Sequence, residues 1–129
     1  MISMLKKLIL AGAMCVMTLA AENRIFEMRT YYTHEGKLPA LLARFRDHTT
    51  KLFEKHGMVN VGYWVPKDKP NVLVYVIAHK SDAAAKASWD GFRKDPDWLK
   101  ARDASEAAGK IVAKVESSYM DPTDFSKLK

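Results

Sequence analysis

The chain has 129 residues, 48% of them hydrophobic and 28% charged, with a formal net charge of +6 and a single cysteine. That length suits one domain with one core, and one cysteine excludes a disulfide scaffold or a cysteine-rich zinc site. The lysines are scattered and do not form a stripe between exposed aromatics, which argues against nucleic-acid binding.

Residues 1–20 read as a signal peptide. Lys6 and Lys7 form a basic n-region, and Leu8–Leu19 is an uncharged apolar run. Thr18-Leu19-Ala20-Ala21 then supplies small residues for cleavage before the polar Glu22-Asn23-Arg24. The run falls short of the roughly 20 apolar residues that a membrane span needs. The expectation is an exported protein, periplasmic or secreted, with no stable membrane insertion after leader removal. Cys15 lies inside the leader, and Gly12 and Met14 before it make a poor lipobox. The folded domain should occupy residues 21–129, without cysteine.

The domain should open with a strand over Ile25–Tyr32, with Phe26, Met28 and Tyr32 on one face and Glu27, Arg29 and Tyr31 on the other. The polar break Thr33–Lys37 precedes a helix, with Pro39 in its first turn and Leu38, Leu41, Leu42, Phe45, Leu52 and Phe53 as its apolar stripe. Gly57 should end it near His56. Val59–Val65 and Val72–His79 read as strands joined by a proline-bounded loop. In the first, simple alternation puts Val61, Tyr63 and Val65 with Val59, and Asn60, Gly62 and Trp64 opposite.

Ser81 or Asp82 should cap a second helix, which Asp95-Pro96 breaks and restarts, since aspartate caps and proline suits a first helical position. A strand over Ile111–Tyr119 follows the Gly109 stop. The order β-α-β-β-α-β predicts an α+β, ferredoxin-like fold with a four-stranded antiparallel sheet and helices on one side. The uncovered face is expected to carry Trp64, Leu73, Tyr75, Ile77 and Val112, too apolar for a soluble monomer. A homodimer whose two sheets close a dimeric α/β barrel would cover it.

Three segments carry a resemblance. Glu27-Met28-Arg29-Thr30-Tyr31 is followed by Gly36-Lys37. Trp89 precedes Phe92-Arg93-Lys94-Asp95-Pro96-Asp97-Trp98, and Val115-Glu116-Ser117-Ser118-Tyr119-Met120 precedes Pro122-Thr123-Asp124-Phe125. Together, over Ile25–Phe125, they resemble a NIPSNAP-family domain, most specifically at Phe-x-x-Asp-Pro-x-Trp. The resemblance implies the dimeric α/β barrel and supplies no catalytic motif.

Glu27, Arg29, Tyr31, Trp64, Tyr75, His79 and Glu116 are the ligand-binding candidates, expected to converge from neighbouring strands. For Arg29 and the glutamates, the reading preferred over chemistry is a buried structural salt-bridge network at the dimer seam. No two of His34, His48, His56 and His79 stand three or four residues apart, and P-loop, G-x-G-x-x-G and G-x-S-x-G motifs are absent. No metal, cofactor or catalytic residue is assigned. The primary expectation is a homodimeric module binding a small apolar or aromatic ligand in the barrel cavity, floored by Trp64, Tyr75 and Ile77 with polar groups at Glu27, Arg29 and His79. The alternatives are a cofactor-independent monooxygenase-like enzyme, as barrel relatives suggest, and a structural or protein-interaction module.

Overall fold

The structure, a computed structural model, describes Gly12 and residues 23–129. The expected leader and its cleavage site therefore lie, apart from Gly12, outside the described residues. Strand β1 (Ile25–Thr33) leads to α1 (Leu38–Arg44), a π-helical segment (Phe45–Thr49) and α2 (Thr50–Lys55). Strands β2 (Val59–Trp64) and β3 (Val72–His79) follow, then α3 (Asp82–Lys94), α4 (Pro96–Ser105) and β4 (Val112–Met120). The strands form one antiparallel sheet in the order β2-β3-β1-β4. This is the ferredoxin-like α+β arrangement. No described helix is long and apolar enough to cross a membrane.

The first helix is not uniform as its spacing predicts. At Phe45–Thr49 it widens by a residue per turn, and two threonines stitch the widened turns together. Thr49 Oγ1 donates to the Arg44 carbonyl at 3.4 Å and Thr50 Oγ1 to the Phe45 carbonyl at 3.0 Å. The extra residue keeps Phe45 inward while rotating His48 out to solvent. Gly57, at φ 83°, closes α2, where a Cβ would be strained.

Strand β3 sits inside the sheet, buried on the helix side and half-buried at Val74 and Val76 on the other. Its Leu73, Tyr75 and Ile77 meet the helices and are fully buried, not on the uncovered face as simple helix-on-sheet reasoning had them. Phe45 and Tyr75 stand 5.1 Å apart, Phe53 and Phe92 5.0 Å, and Phe53 and Trp89 5.5 Å, which makes the core largely aromatic. Val112 also packs on this cluster. The uncovered face carries Met28, Thr30 and Tyr32 of β1, Val74 and Val76 of β3, and Trp64 of β2.

A bulge at Val61 changes which residues of β2 share a face. Asn60 pairs with Ile77 and Gly62 with Val76, so Val61 is the extra residue and the alternation of β2 slips by one. Tyr63 opposes Tyr75 on the helix side and stacks on it at 5.1 Å, while Trp64 opposes Val74 on the uncovered face. The Trp64 ring lies where a Cβ on residue 62 would be, so only glycine fits beneath it.

Asp95 joins the helices. Its Oδ1 accepts from the Asp97 backbone N–H at 2.9 Å, capping α4, and its Oδ2 accepts from Lys55 Nζ at 2.8 Å and His56 Nε2 at 2.7 Å. The Phe92 and Trp98 rings meet at 4.7 Å across the same joint. The most specific sequence signature of the chain is thus a structural corner. Its carboxyl is held below the usual carboxylate range by Lys55, His56 and the Asp97 N–H.

Candidate functional site

Glu27 is fully buried, and each of its carboxylate oxygens accepts two hydrogen bonds. His79 Nε2 and Trp89 Nε1 meet Oε1, and Arg29 Nη1 and Ser117 Oγ meet Oε2, all at 2.8 Å. Register produces this convergence. Glu27 lies opposite Ile77 and Tyr119, so His79 is a diagonal neighbour on β3 and Ser117 a diagonal neighbour on β4. Trp89 descends from the buried stripe of α3. Burial alone would raise the Glu27 pKa, but the donors from His79, Trp89, Arg29 and Ser117 outweigh it and bring it to about 2.

The network continues inward. Arg29 lies over the Trp89 ring at 4.4 Å and reaches Tyr31 Oη at 3.5 Å, and the Tyr75 hydroxyl donates to Tyr31 Oη at 3.2 Å. Burial pulls the Arg29 guanidinium down, but the Tyr31 and Tyr75 oxygens and Glu27 more than reverse this and hold it charged. Burial, with Tyr31 beside it, pushes the Tyr75 phenol well above its ordinary range. Glu27 is therefore a committed anion, Arg29 its counter-cation and Tyr75 a neutral donor. His79 differs: it is buried, and its Nδ1 has no partner among the described residues. Its ring lies beneath that of Tyr119, centroids 6.1 Å apart.

Of the sequence candidates, Glu27, Arg29, Tyr31, Tyr75 and His79 share one face, but it is the face under the helices and not the expected barrel interior, because the Tyr75 row of β3 packs on Phe45, Phe53 and Trp89. Trp64 and Glu116 do not join them. Trp64 lies on the uncovered face, as expected of it, and Glu116, opposite Thr30, is on that face with Lys114 at 2.8 Å and Tyr32 Oη at 3.3 Å. Sequence reasoning missed Trp89, Ser117 and Tyr119 as members. A buried indole N–H must find an acceptor, which could have pointed Trp89 at Glu27. Ser117 and Tyr119 required the β1–β4 register, which nothing local in the sequence reveals.

Beside the network, between α3 and β4, runs a groove of about 340 Å³. Trp89 and Tyr119 form its aromatic walls, and Lys86, Asp90, Arg93 and Asp82 its rim. Arg93 lies over the outer part of Trp89 at 5.2 Å, and Lys86 pairs with Asp90 at 3.1 Å. Trp89 is thus held from within by Glu27 and Arg29 while facing the groove. No group of three or more His, Cys, Asp or Glu that could hold a metal ion occurs among the described residues.

The NIPSNAP family model matches residues 26–127. A NIPSNAP family protein of unknown function from Agrobacterium tumefaciens is 25% identical and superposes with a TM-score of 0.72 over 83% of this chain and 95% of its own. A second NIPSNAP family protein from that organism, 20% identical, gives 0.73 over 83% of this chain and 100% of its own. SnoaB, a cofactor-independent oxygenase from Streptomyces nogalater, is 15% identical with a TM-score of 0.61, covering 82% of this chain and 99% of its own, a likeness of fold. No curated protein matches the chain significantly. With the match running from β1 past β4, the chain belongs to the NIPSNAP family.

Proposed function

We propose that the protein is an exported homodimeric module that binds a small aromatic or apolar ligand in the groove between α3 and β4. The groove itself carries this reading: about 340 Å³, walled by Trp89 and Tyr119, it lies in the size range of small-molecule sites. An aromatic guest against the exposed Tyr119 ring gains an edge or offset contact of about 0.5–1.5 kcal/mol beyond its buried area. Holding Trp89 with Glu27 and Arg29 before the ligand arrives lowers the ordering cost of binding.

The dimer is supported by the uncovered face, where Met28 and Trp64 are exposed beside the Val74–Val76 row. Two such faces stacked about 10 Å apart would remove these side chains from water. Export rests on the sequence of residues 1–20.

An enzymatic reading, oxygenation of the bound guest without a cofactor, is favoured by one atom, the free and buried Nδ1 of His79. Glu27 cannot serve as the base near neutrality with its pKa at about 2. A substrate would have to displace the Tyr119 ring to meet His79.

Native mass spectrometry of the purified full-length chain tests the proposal. The expected result is a dimer carrying a reproducible small-molecule increment that Tyr119→Ala removes. A dimer without an increment would refute ligand binding and leave the structural role. A monomer would refute the barrel.

A further inference from the structure

A second groove, between α1 and α4, contains a cation that the fold leaves short of countercharge. We propose that it is a subsite for a small carboxylate bearing an apolar tail. Arg44, in the last turn of α1, is 5% exposed. Its guanidinium lies on the Trp98 ring at 5.1 Å. Its polar contacts are long and both fall on Nη1: Ser105 Oγ at 3.3 Å and Glu106 Oε1 at 3.5 Å. Nε is buried with no partner among the described residues.

A buried guanidinium ordinarily sits in a two-pronged carboxylate contact, because single-ended contact does not offset its desolvation. Glu106 does not provide that. It stands just past the end of α4, reaches one nitrogen, and keeps 28% of its side chain in water. Burial accordingly lowers the Arg44 pKa, Tyr31 and Glu106 offsetting it only in part. An incoming carboxylate would supply the missing acceptor on a cation already desolvated and immobilised.

The cavity fits an amphipathic guest. Arg44 and Ser105 line a hollow of about 240 Å³ that shares Asp47, His48, Ala101 and Ala104 with a neighbouring hollow of about 390 Å³ floored by Leu52. A carboxylate at Arg44 would therefore have its tail cross the two alanines to Leu52. Asp47 and Asp97 oppose an anion at the rim, and Lys51 and Lys100 on the outer hollow balance them, so the Arg44 charge decides the sign. Neither hollow shares a lining residue with the α3–β4 groove, so this inference stands apart from the proposed function.

The experiment is titration of the ¹⁵N-labelled full chain with hexanoate, and separately with hexanamide, its uncharged analogue. Hexanoate should give saturable shifts at the Trp98 indole and Ser105 amide, and hexanamide should bind at least about tenfold more weakly. Glu106→Gln, which removes the competing carboxylate, should tighten hexanoate binding, and Ser105→Ala, which removes the neutral acceptor on the same Nη1, should tighten it by less. Arg44→Met should abolish it. If that variant does not fold, Glu106→Gln and Ser105→Ala carry the test. Equal binding of the amide, no saturable shift in wild type and Glu106→Gln alike, or an affinity unmoved by Glu106→Gln would overturn the subsite.

Discussion

Replacing Glu27 with glutamine keeps the shape of the network and removes its charge. The glutamine carbonyl can accept from only one pair, His79 with Trp89 or Arg29 with Ser117, while its amide hydrogens face the other pair's donors. His79 can change tautomer and Ser117 can rotate, but Arg29 stays charged beside the lost carboxylate. Breaking a buried pair from one side costs about 3–5 kcal/mol. The depressed pKa points to the same size: a fall from 4.5 to about 2 corresponds to about 3.5 kcal/mol at roughly 1.4 kcal/mol per unit.

Because the folded pKa is depressed, this stability is present above the unfolded value of 4.5 and is lost as pH falls toward about 2. Urea unfolding at one fixed protein concentration, followed by tryptophan fluorescence between pH 7 and pH 2, reads both effects. Glu27→Gln should lower stability at pH 7 by about 3 kcal/mol and flatten much of the acid loss seen in wild type. A variant within about 1 kcal/mol of wild type at pH 7, or with an unchanged acid limb, would refute a charge-saturated Glu27.

Trp89→Phe removes one donor to Glu27 and should cost about 1–3 kcal/mol in the same assay; no loss would mean the indole is not a structural donor. Asp95→Ala should lower the melting temperature clearly more than Asp95→Asn, because asparagine still caps α4; equal losses would separate the cap from the corner's stability. Gly62→Val should expel the Trp64 ring from its place over β2, seen as a shift in tryptophan emission. An unchanged spectrum would contradict the close approach.

Most of the fold is legible in the sequence because it rests on local chemistry. Pro39 and Gly57 bound the first helical run, Ser81 and Asp95-Pro96 set the two helices that follow, and alternation in β1 separates Glu27, Arg29 and Tyr31 from Phe26 and Met28. What stays hidden depends on partners distant in sequence. One inserted residue at Val61 leaves no compositional mark, yet it separates Val59 from Tyr63 and Asn60 from Trp64, which alternation puts on shared faces. The same holds for the π-helical segment that turns His48 outward. In β3, both rows are apolar, so alternation alone assigns the Leu73–Tyr75–Ile77 row to the wrong face, and only the packed structure puts Tyr75 under the helices.

Trp64, Trp89 and Trp98 report on three different places: the uncovered sheet face, the α3–β4 groove and the Arg44 groove. The most direct test of the proposed site is therefore to titrate the ¹⁵N-indole-labelled full chain with 2-naphthol and follow these three N–H signals. The account predicts a saturable shift of the Trp89 signal, abolished in Tyr119→Ala, with Trp98 unmoved. A shift confined to Trp64, or a Trp89 signal that never moves, would contradict it.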